Sequence, residues 1–365
     1  MTAPTPQPKI MDIKLYQGGE SAIAGRDDVL KLSSNENPFG PPLGAQRALA
    51  EAAAQMHRYP SVDHASLRAA IAAVERLDAG NIICGVGSDE VLTFLFQAFA
   101  GVGDEVIHTE HGFSMYPILA RAAGATPISV PERERRVDTA AILEAVTDRT
   151  RIVFVTNPGN PTGTVLSVAE LTTLADALPS HVLLVIDGAY AEFAEGFGDS
   201  FDGGAALAAS RSNVVMTRTF SKLYGLGGLR VGWGYACRDI IDVLNRVRGP
   251  FNLSLPALAA AEAAVRDEAF VERCLIANAA NRALLRRELI AMGVACDASH
   301  ANFVLARFRD QAEAEACEAA LRDAGILVRK VAGYGFPEGL RITVGRENEC
   351  RRVLDTVRAF LGVAA

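Results

Sequence analysis

The chain has no CxxC pair. Its six cysteines, at positions 84, 237, 274, 296, 317 and 350, are scattered. That spacing excludes a zinc ribbon or a paired redox motif. Several sit in apolar stretches, as in Ile82-Ile83-Cys84, so reduced and mostly buried thiols in a cytoplasmic protein are expected. The six histidines form no metal-spaced cluster either. His108 and His111 are three apart but straddle an expected strand end, so no metal site is expected. No run of about 20 uncharged apolar residues is present to cross a membrane. No basic run is long enough to track a nucleic-acid backbone, and the net charge is −7. The opening Met1-Thr-Ala-Pro-Thr-Pro-Gln-Pro8 lacks an apolar signal core and is expected to be a flexible tail. There is no internal repeat.

What remains is an ordinary globular composition. Of 365 residues, 50% are hydrophobic and 22% charged. Length gives a prior of about two or three domains. From residue 81 to 235, short apolar runs alternate with amphipathic ones. Strands are expected at 81–86, 105–109, 126–130, 151–156, 182–186, 214–217 and 231–235. Helices are expected at 91–100, 114–123, 139–146 and 168–177. This alternation predicts an α/β fold with a mainly parallel sheet flanked by helices. The mixed-charge run Glu132-Arg-Glu-Arg-Arg136 is expected to be a solvated loop. After about residue 255 the texture changes to helices at 257–265, 270–292, 312–324 and 347–361, with strands at 302–308, 326–328 and 340–344. That predicts a smaller α+β C-terminal domain. The expected division is a tail and arm over 1–44, a large domain over 45–255 and a small domain over 256–365.

In a parallel sheet, ligands bind beyond the carboxyl ends of the strands. The polar motifs fall there. The apolar run Asn213-Val-Val-Met-Thr217 leads into Thr219-Phe-Ser-Lys222-Leu-Tyr-Gly-Leu-Gly-Gly-Leu-Arg230. A lysine in apolar, glycine-rich company loses its proton more readily than a surface lysine. A neutral amine can form a Schiff base with a carbonyl. Thr219, Ser221 and Arg230 beside it can hold a phosphate. An aldehyde and a phosphate on one cofactor point to pyridoxal 5′-phosphate.

Other motifs supply partners for the rest of that cofactor. Ser88 and Asp89, in Gly87-Ser88-Asp89-Glu90, open a helix whose N-terminus favours an anion. Phe113, in His111-Gly-Phe113-Ser-Met-Tyr116, can stack on a flat ring. The double turn Asn157-Pro-Gly-Asn160-Pro-Thr-Gly163 presents the Asn160 amide beyond a strand, where it can donate to a phenolate oxygen. Asp187 ends an apolar strand and can pair with a pyridine N–H⁺, and Tyr190 can donate to the ring hydroxyl. Arg341 is isolated in the apolar strand Gly339-Leu-Arg-Ile-Thr-Val344 and calls for an anion such as a substrate carboxylate. Arg329 can add a second anion contact. Taken singly, each motif also has a plain reading as a surface lysine, a helix cap or core packing. Their joint presence decides between the readings.

Together these stretches resemble the fold-type I pyridoxal-phosphate enzymes, and within them the histidinol-phosphate aminotransferases, from about Tyr16 to Val344. Asn160-Pro-Thr-Gly163, Asp187-x-x-Tyr190 and Ser221-Lys222 with Arg230 carry the resemblance. Leu32-Ser-Ser-Asn-Glu-Asn-Pro38 and Arg58-Tyr59-Pro60 narrow it. The resemblance implies that Lys222 is the Schiff-base lysine and proton shuttle, and that Asp187 partners the pyridine nitrogen. Asn160 and Tyr190 would contact the ring oxygen. Phe113 would stack on the ring. Ser88, Asp89, Thr219, Ser221 and Arg230 would form the phosphate cup. Tyr59 would reach the neighbouring subunit's cofactor, which implies a homodimer. Arg341 would bind the α-carboxylate, with Tyr16, Asn302 and Arg329 around the rest of the substrate, and the arm would fold over the site.

Two departures bear on substrate choice. The arm reads Tyr16-Gln-Gly-Gly-Glu20 where many relatives have Tyr-x-Pro-Gly, and Phe113 stands where some have Tyr. The implied reaction is L-histidinol phosphate plus 2-oxoglutarate giving imidazole acetol phosphate and L-glutamate. An aromatic amino-acid aminotransferase and an O-phosphothreonine decarboxylase are rivals on the same scaffold. A cofactor-binding transcription regulator needs a DNA-binding domain, and no helix-turn-helix pattern precedes Leu32.

Overall fold

Apolar strand residues that alternate between two helical layers produce the central sheet. The computed structural model describes residues 4–16, 18–194 and 201–363. The first three residues of the expected tail, and Gln17 of the arm, lie outside the described residues. Seven strands line up in the order Ile82–Gly85, Gly232–Ala236, Val214–Thr219, Leu183–Asp187, Thr150–Thr156, Glu105–Thr109 and Thr126–Val130. Only Gly232–Ala236 runs antiparallel to its neighbours. Successive side chains enter opposite cores, as a period of two requires. Val153, Val155, Leu184 and Ile186 join one cluster. Ile152, Phe154, Leu183 and Val185 join the other. Because both faces are covered, the strands read as continuous apolar runs.

A second sheet of four antiparallel strands holds Ala295–Cys296, Phe303–Arg307, Phe336–Thr343 and Arg329–Val331. Helices Gln311–Asp323 and Glu347–Leu361 cover it. Leu30–Lys31, in the stretch expected to be an arm, pairs in parallel with Ile326–Leu327, and Leu32 joins the small core. Packing changes partner along one long helix, Glu268–Ala291, rather than at residue 255. Phe270 and Cys274 near its start belong to the large core, and Leu285 and Leu289 near its end to the small one. Helix Leu255–Val265 packs wholly into the large core.

Other features also differ from expectation. The helix expected to start at Val91 starts at Ser88, because Gly87 turns the chain sharply at φ 77° and its polar first turn carries no apolar periodicity. The run 132–136 is not a solvated loop. Glu132–Arg133 and Arg136–Val137 form a two-stranded ladder, and Arg135 and Arg136 pair with Asp297 and Glu170. Helices Ala205–Ser210 and Arg238–Val247 were not anticipated. The first is too short to show a period. The second carries Ile240, Ile241 and Leu244 inward, a pattern its charged residues obscured.

Candidate active site

Lys222 lies in the turn that follows strand Val214–Thr219. Its neighbours Phe220 and Leu223 are fully buried, so the turn is anchored on both sides of the lysine. Its Nζ donates to the Ser34 carbonyl at 3.2 Å. Burial, then the nearby Arg341 guanidinium, lowers its pKa to about 8. It therefore gives up its proton more readily than a surface lysine, whose ordinary value is 10.5.

The floor of the cleft on one side gathers a helix end, hydroxyls and an arginine, groups that favour an anion. Helix Ser88–Phe99 points its N-terminus there. Arg230 Nη1 donates to Ser221 Oγ at 2.9 Å, and Nη2 pairs with Asp89 at 2.9 Å. Thr219 Oγ1 donates to Ser221 Oγ at 3.0 Å. The arrangement needs glycine at two places. A Cβ on Gly87 would sit 2.3 Å from Arg230 Nη2, and one on Gly232 would sit 2.1 Å from the Ser88 nitrogen.

Opposite the lysine, Asp187 ends strand Leu183–Asp187 and is 3% exposed. Its carboxylate accepts from the Tyr116 hydroxyl at 2.8 Å and from Thr217 Oγ1 at 3.2 Å. Burial raises its pKa, because those hydroxyl bonds only partly replace lost water and no cation partners it among the described residues. Burial and the Asp187 charge push the Tyr116 hydroxyl well up, so it stays a donor. Phe113 meets Tyr116 edge-on at 5.8 Å, and Tyr16 meets Phe113 edge-on at 6.4 Å.

The third wall comes from the small sheet. Arg341 is 6% exposed. Nη1 donates to Asn160 Oδ1 at 2.6 Å and Nη2 to the Ser33 carbonyl at 2.9 Å. Its Nε has no partner among the described residues. Tyr190 Oη accepts from Asn160 Nδ2 at 3.2 Å and from Asn35 Nδ2 at 3.0 Å. Both Asn-Pro bonds of the 157–163 turn are cis. Arg329 donates to the Gly18 carbonyl of the arm and lines the same cleft, whose volume is about 210 Å³.

The family profile "Aminotransferase class I and II" matches residues 27–357. The chain is 66% identical over 356 residues to the histidinol-phosphate aminotransferase of Ruegeria pomeroyi, covering 98% of each chain. It is 62% identical to that of Roseobacter denitrificans, covering 99% of each. The solved histidinol-phosphate aminotransferase of Sinorhizobium meliloti, in complex with pyridoxal-5′-phosphate, superposes with a TM-score of 0.90 at 26% identity over 99% of each chain. The chain belongs to the class I and II aminotransferases.

In this aminotransferase, the residues singled out from the sequence line one cleft, except for Tyr59 and Asn302. Tyr59 is 81% exposed and stacks on Phe251 with ring centroids 4.5 Å apart. Asn302 is buried behind the wall, where its Nδ2 donates to the Asn35 carbonyl at 2.9 Å. Lining or supporting residues that escaped the sequence reading include Asn35, Tyr116, Thr217 and Tyr334. Asn35 and Tyr116 lie inside motifs quoted for other reasons, but no local pattern shows where their side chains point.

The donor set fits pyridoxal phosphate. A buried carboxylate without a cation suits a protonated ring nitrogen. The helix N-terminus with Arg230 and two hydroxyls suits a phosphate. A lysine with a lowered pKa suits an aldehyde, and the free Nε of a buried arginine suits a substrate anion.

Proposed function

We propose that this aminotransferase exchanges the amino group between L-histidinol phosphate and 2-oxoglutarate, as a step of histidine synthesis. The observation that carries the reaction class is Lys222, held with a lowered pKa in the cleft that also contains the Asp187 carboxylate and the Arg341 guanidinium. The substrate rests on relatives of that name at 58–66% identity, and on two arginines, 329 and 341, at the substrate side of the cleft.

Bound pyridoxal phosphate supplies an aldehyde that takes up the amino group and an electron-poor ring that accepts the electron pair left at Cα. The chain does the rest. Ser88, Asp89, Thr219, Ser221 and Arg230 hold the phosphate, and Phe113 covers the ring. Asp187 keeps the ring nitrogen protonated, and its carboxylate is held in place by Tyr116 and Thr217. Asn160 and Tyr190 hold the ring oxygen. Lys222 Nζ would take the Cα proton of the substrate and return it to the former aldehyde carbon of the cofactor, across the nitrogen from Cα, as a base poised near operating pH does. Arg341 orients the α-carboxylate of glutamate and, with Arg329 and Tyr16, the phosphate of the other substrate. Asn302 contributes by supporting Asn35.

The working form is a homodimer. Tyr59 is supported as a residue given to the partner's site by its exposure, and by Leu43 and Met56, which are 68% and 73% exposed on the same stretch of chain. The six free thiols support a cytoplasmic setting. Among the described residues no helix is long and apolar enough to cross a membrane.

The test is to mix the cofactor-loaded enzyme with each amino donor alone and follow the cofactor absorbance. Rapid conversion to the amine form by histidinol phosphate, and slow conversion by phenylalanine, supports the assignment. Equal or faster conversion by phenylalanine makes the enzyme an aromatic aminotransferase. Carbon dioxide release from O-phosphothreonine, with the cofactor unchanged, replaces the reaction.

A further inference from the structure

Asn35 lies in the arm, is 1% exposed, and has all its polar groups engaged. Its backbone is left-handed, at φ 56°. Its N–H donates to Thr343 Oγ1 at 2.9 Å, and the Thr343 hydroxyl donates back to Asn35 Oδ1 at 3.1 Å. Its carbonyl accepts from Asn302 Nδ2 at 2.9 Å. Thr343 and Asn302 belong to the small-sheet side, where Thr343 pairs with Phe303. The one remaining group, Nδ2, donates across to Tyr190 Oη on the large-sheet side at 3.0 Å.

The reciprocal pair with Thr343 sets which way the amide faces. Rotating the amide by half a turn would put the Nδ2 donor against the Thr343 hydroxyl proton and lose the bond to Oδ1, which is unfavourable. Nδ2 therefore faces Tyr190. A phenol has one proton to give and two lone pairs. Asn35 and Asn160 both donate to Tyr190 Oη, so both lone pairs are taken. The hydroxyl proton is then left to point into the cleft. Donation onto the oxygen also polarises the O–H bond and makes it a better donor.

We propose that Asn35 is a positioning residue that commits Tyr190 to donate its proton into the cleft, and that it transmits the seating of the small sheet to that donor. The proposal rests on the reading above that Tyr190 faces the cofactor's ring oxygen. A strong Tyr190 donor stabilises negative charge on that oxygen. The oxygen in turn helps to hold the proton on the nitrogen that joins cofactor to Lys222. A weaker donor leaves the oxygen more basic, so the proton is held more tightly and its pKa rises.

The experiment is a pH titration of the bound cofactor's absorbance, without substrate, for the wild type and four variants. Asn35→Gly removes the side chain and tolerates positive φ, so it adds no backbone strain. Asn35→Asp keeps the shape and the Thr343 bond but replaces the donor with an acceptor. Tyr190→Phe and the double variant Asn35→Gly/Tyr190→Phe complete a cycle. Circular dichroism and the unfolding midpoint check that each variant is folded.

Asn35→Gly should raise the titration midpoint by about half to one pH unit, the equivalent of one neutral hydrogen bond. Asn35→Asp should raise it further, because the carboxylate draws the phenol proton away from the cleft. The double variant should titrate like Tyr190→Phe alone. A shift in Tyr190→Phe with none in Asn35→Gly overturns the role of Asn35. Additive shifts in the double variant also overturn it, because Asn35 would then act without Tyr190. No shift in Tyr190→Phe refutes instead the reading that Tyr190 faces the ring oxygen, and the proposal falls with it.

Discussion

Replacing Gly232 with alanine tests whether the close approach of one strand to one helix end builds the phosphate site. Gly232 opens the antiparallel strand Gly232–Ala236, and its Cα faces the first turn of helix Ser88–Phe99. An added Cβ would lie 2.1 Å from the Ser88 nitrogen and 2.4 Å from the Gly87 carbonyl carbon. Contact distance is about 3.5 Å, so the helix end must move by roughly 1.4 Å. Those atoms are backbone and cannot swing away as a side chain would. Overpacking of this kind costs about 1–3 kcal/mol. The same movement lengthens at least one backbone bond to the phosphate. A lost charge-assisted bond is worth about 1.5–3 kcal/mol, or about tenfold to a hundredfold in affinity. Gly234→Ala is the control. Its Cβ would crowd the Val91 Cγ1, at 2.8 Å, with Ile83 and the Met216 carbonyl at ordinary contact distance, so it should cost stability and leave the phosphate site intact. Urea unfolding of the cofactor-free protein and absorbance titration with pyridoxal phosphate read the two effects. Wild-type cofactor affinity in Gly232→Ala would refute the reasoning.

Other expectations follow from the same geometry. Lys222→Ala should abolish transamination, and borohydride should no longer tether the cofactor to the chain; a covalent adduct in that variant would point to another lysine. In the cofactor-free protein Lys222 titrates at about 8, below its ordinary value of 10.5. The unfolded chain keeps that proton to higher pH, so this group makes stability rise with pH between about 8 and 10.5. Unfolding midpoints should show that rise in the wild type and lose it in Lys222→Met. Asp187→Ala should slow Cα proton removal by about a hundredfold or more, a change that single-turnover absorbance reads directly; near-normal turnover would mean another group protonates the ring. Arg341→Ala should raise the KM for glutamate by about tenfold to a hundredfold, since a charge-assisted bond to its carboxylate goes. Unchanged glutamate kinetics would remove Arg341 from the site.

The sequence alone determined the sheet and the residues at its carboxyl edge. Short continuous apolar runs with amphipathic helices between them leave few arrangements other than a covered parallel sheet. In such a sheet the residues just past each strand meet at one edge. Asn160, Asp187, Thr219 and Lys222 were legible for that reason, since each follows or ends an apolar run. Arg341 was legible because a lone cation in a buried strand demands a partner.

Tertiary structure decided the rest. Asn35 reaches Tyr190 across 155 residues of chain and Thr343 across 308. Tyr116 reaches Asp187 across 71. Bonds of that span leave no trace in local periodicity, because period reports which face of an element is buried and not what the buried polar tip touches. The same limit hid the position of Asn302, which supports Asn35 from behind, and the outward stacking of Tyr59 on Phe251. It also hid the boundary between the two cores, which falls inside one uninterrupted helix whose sequence stays helical throughout. Local residues thus specified which chemistry was present. The packing of the small sheet and arm against the large sheet specified how the side chains that carry it are aimed.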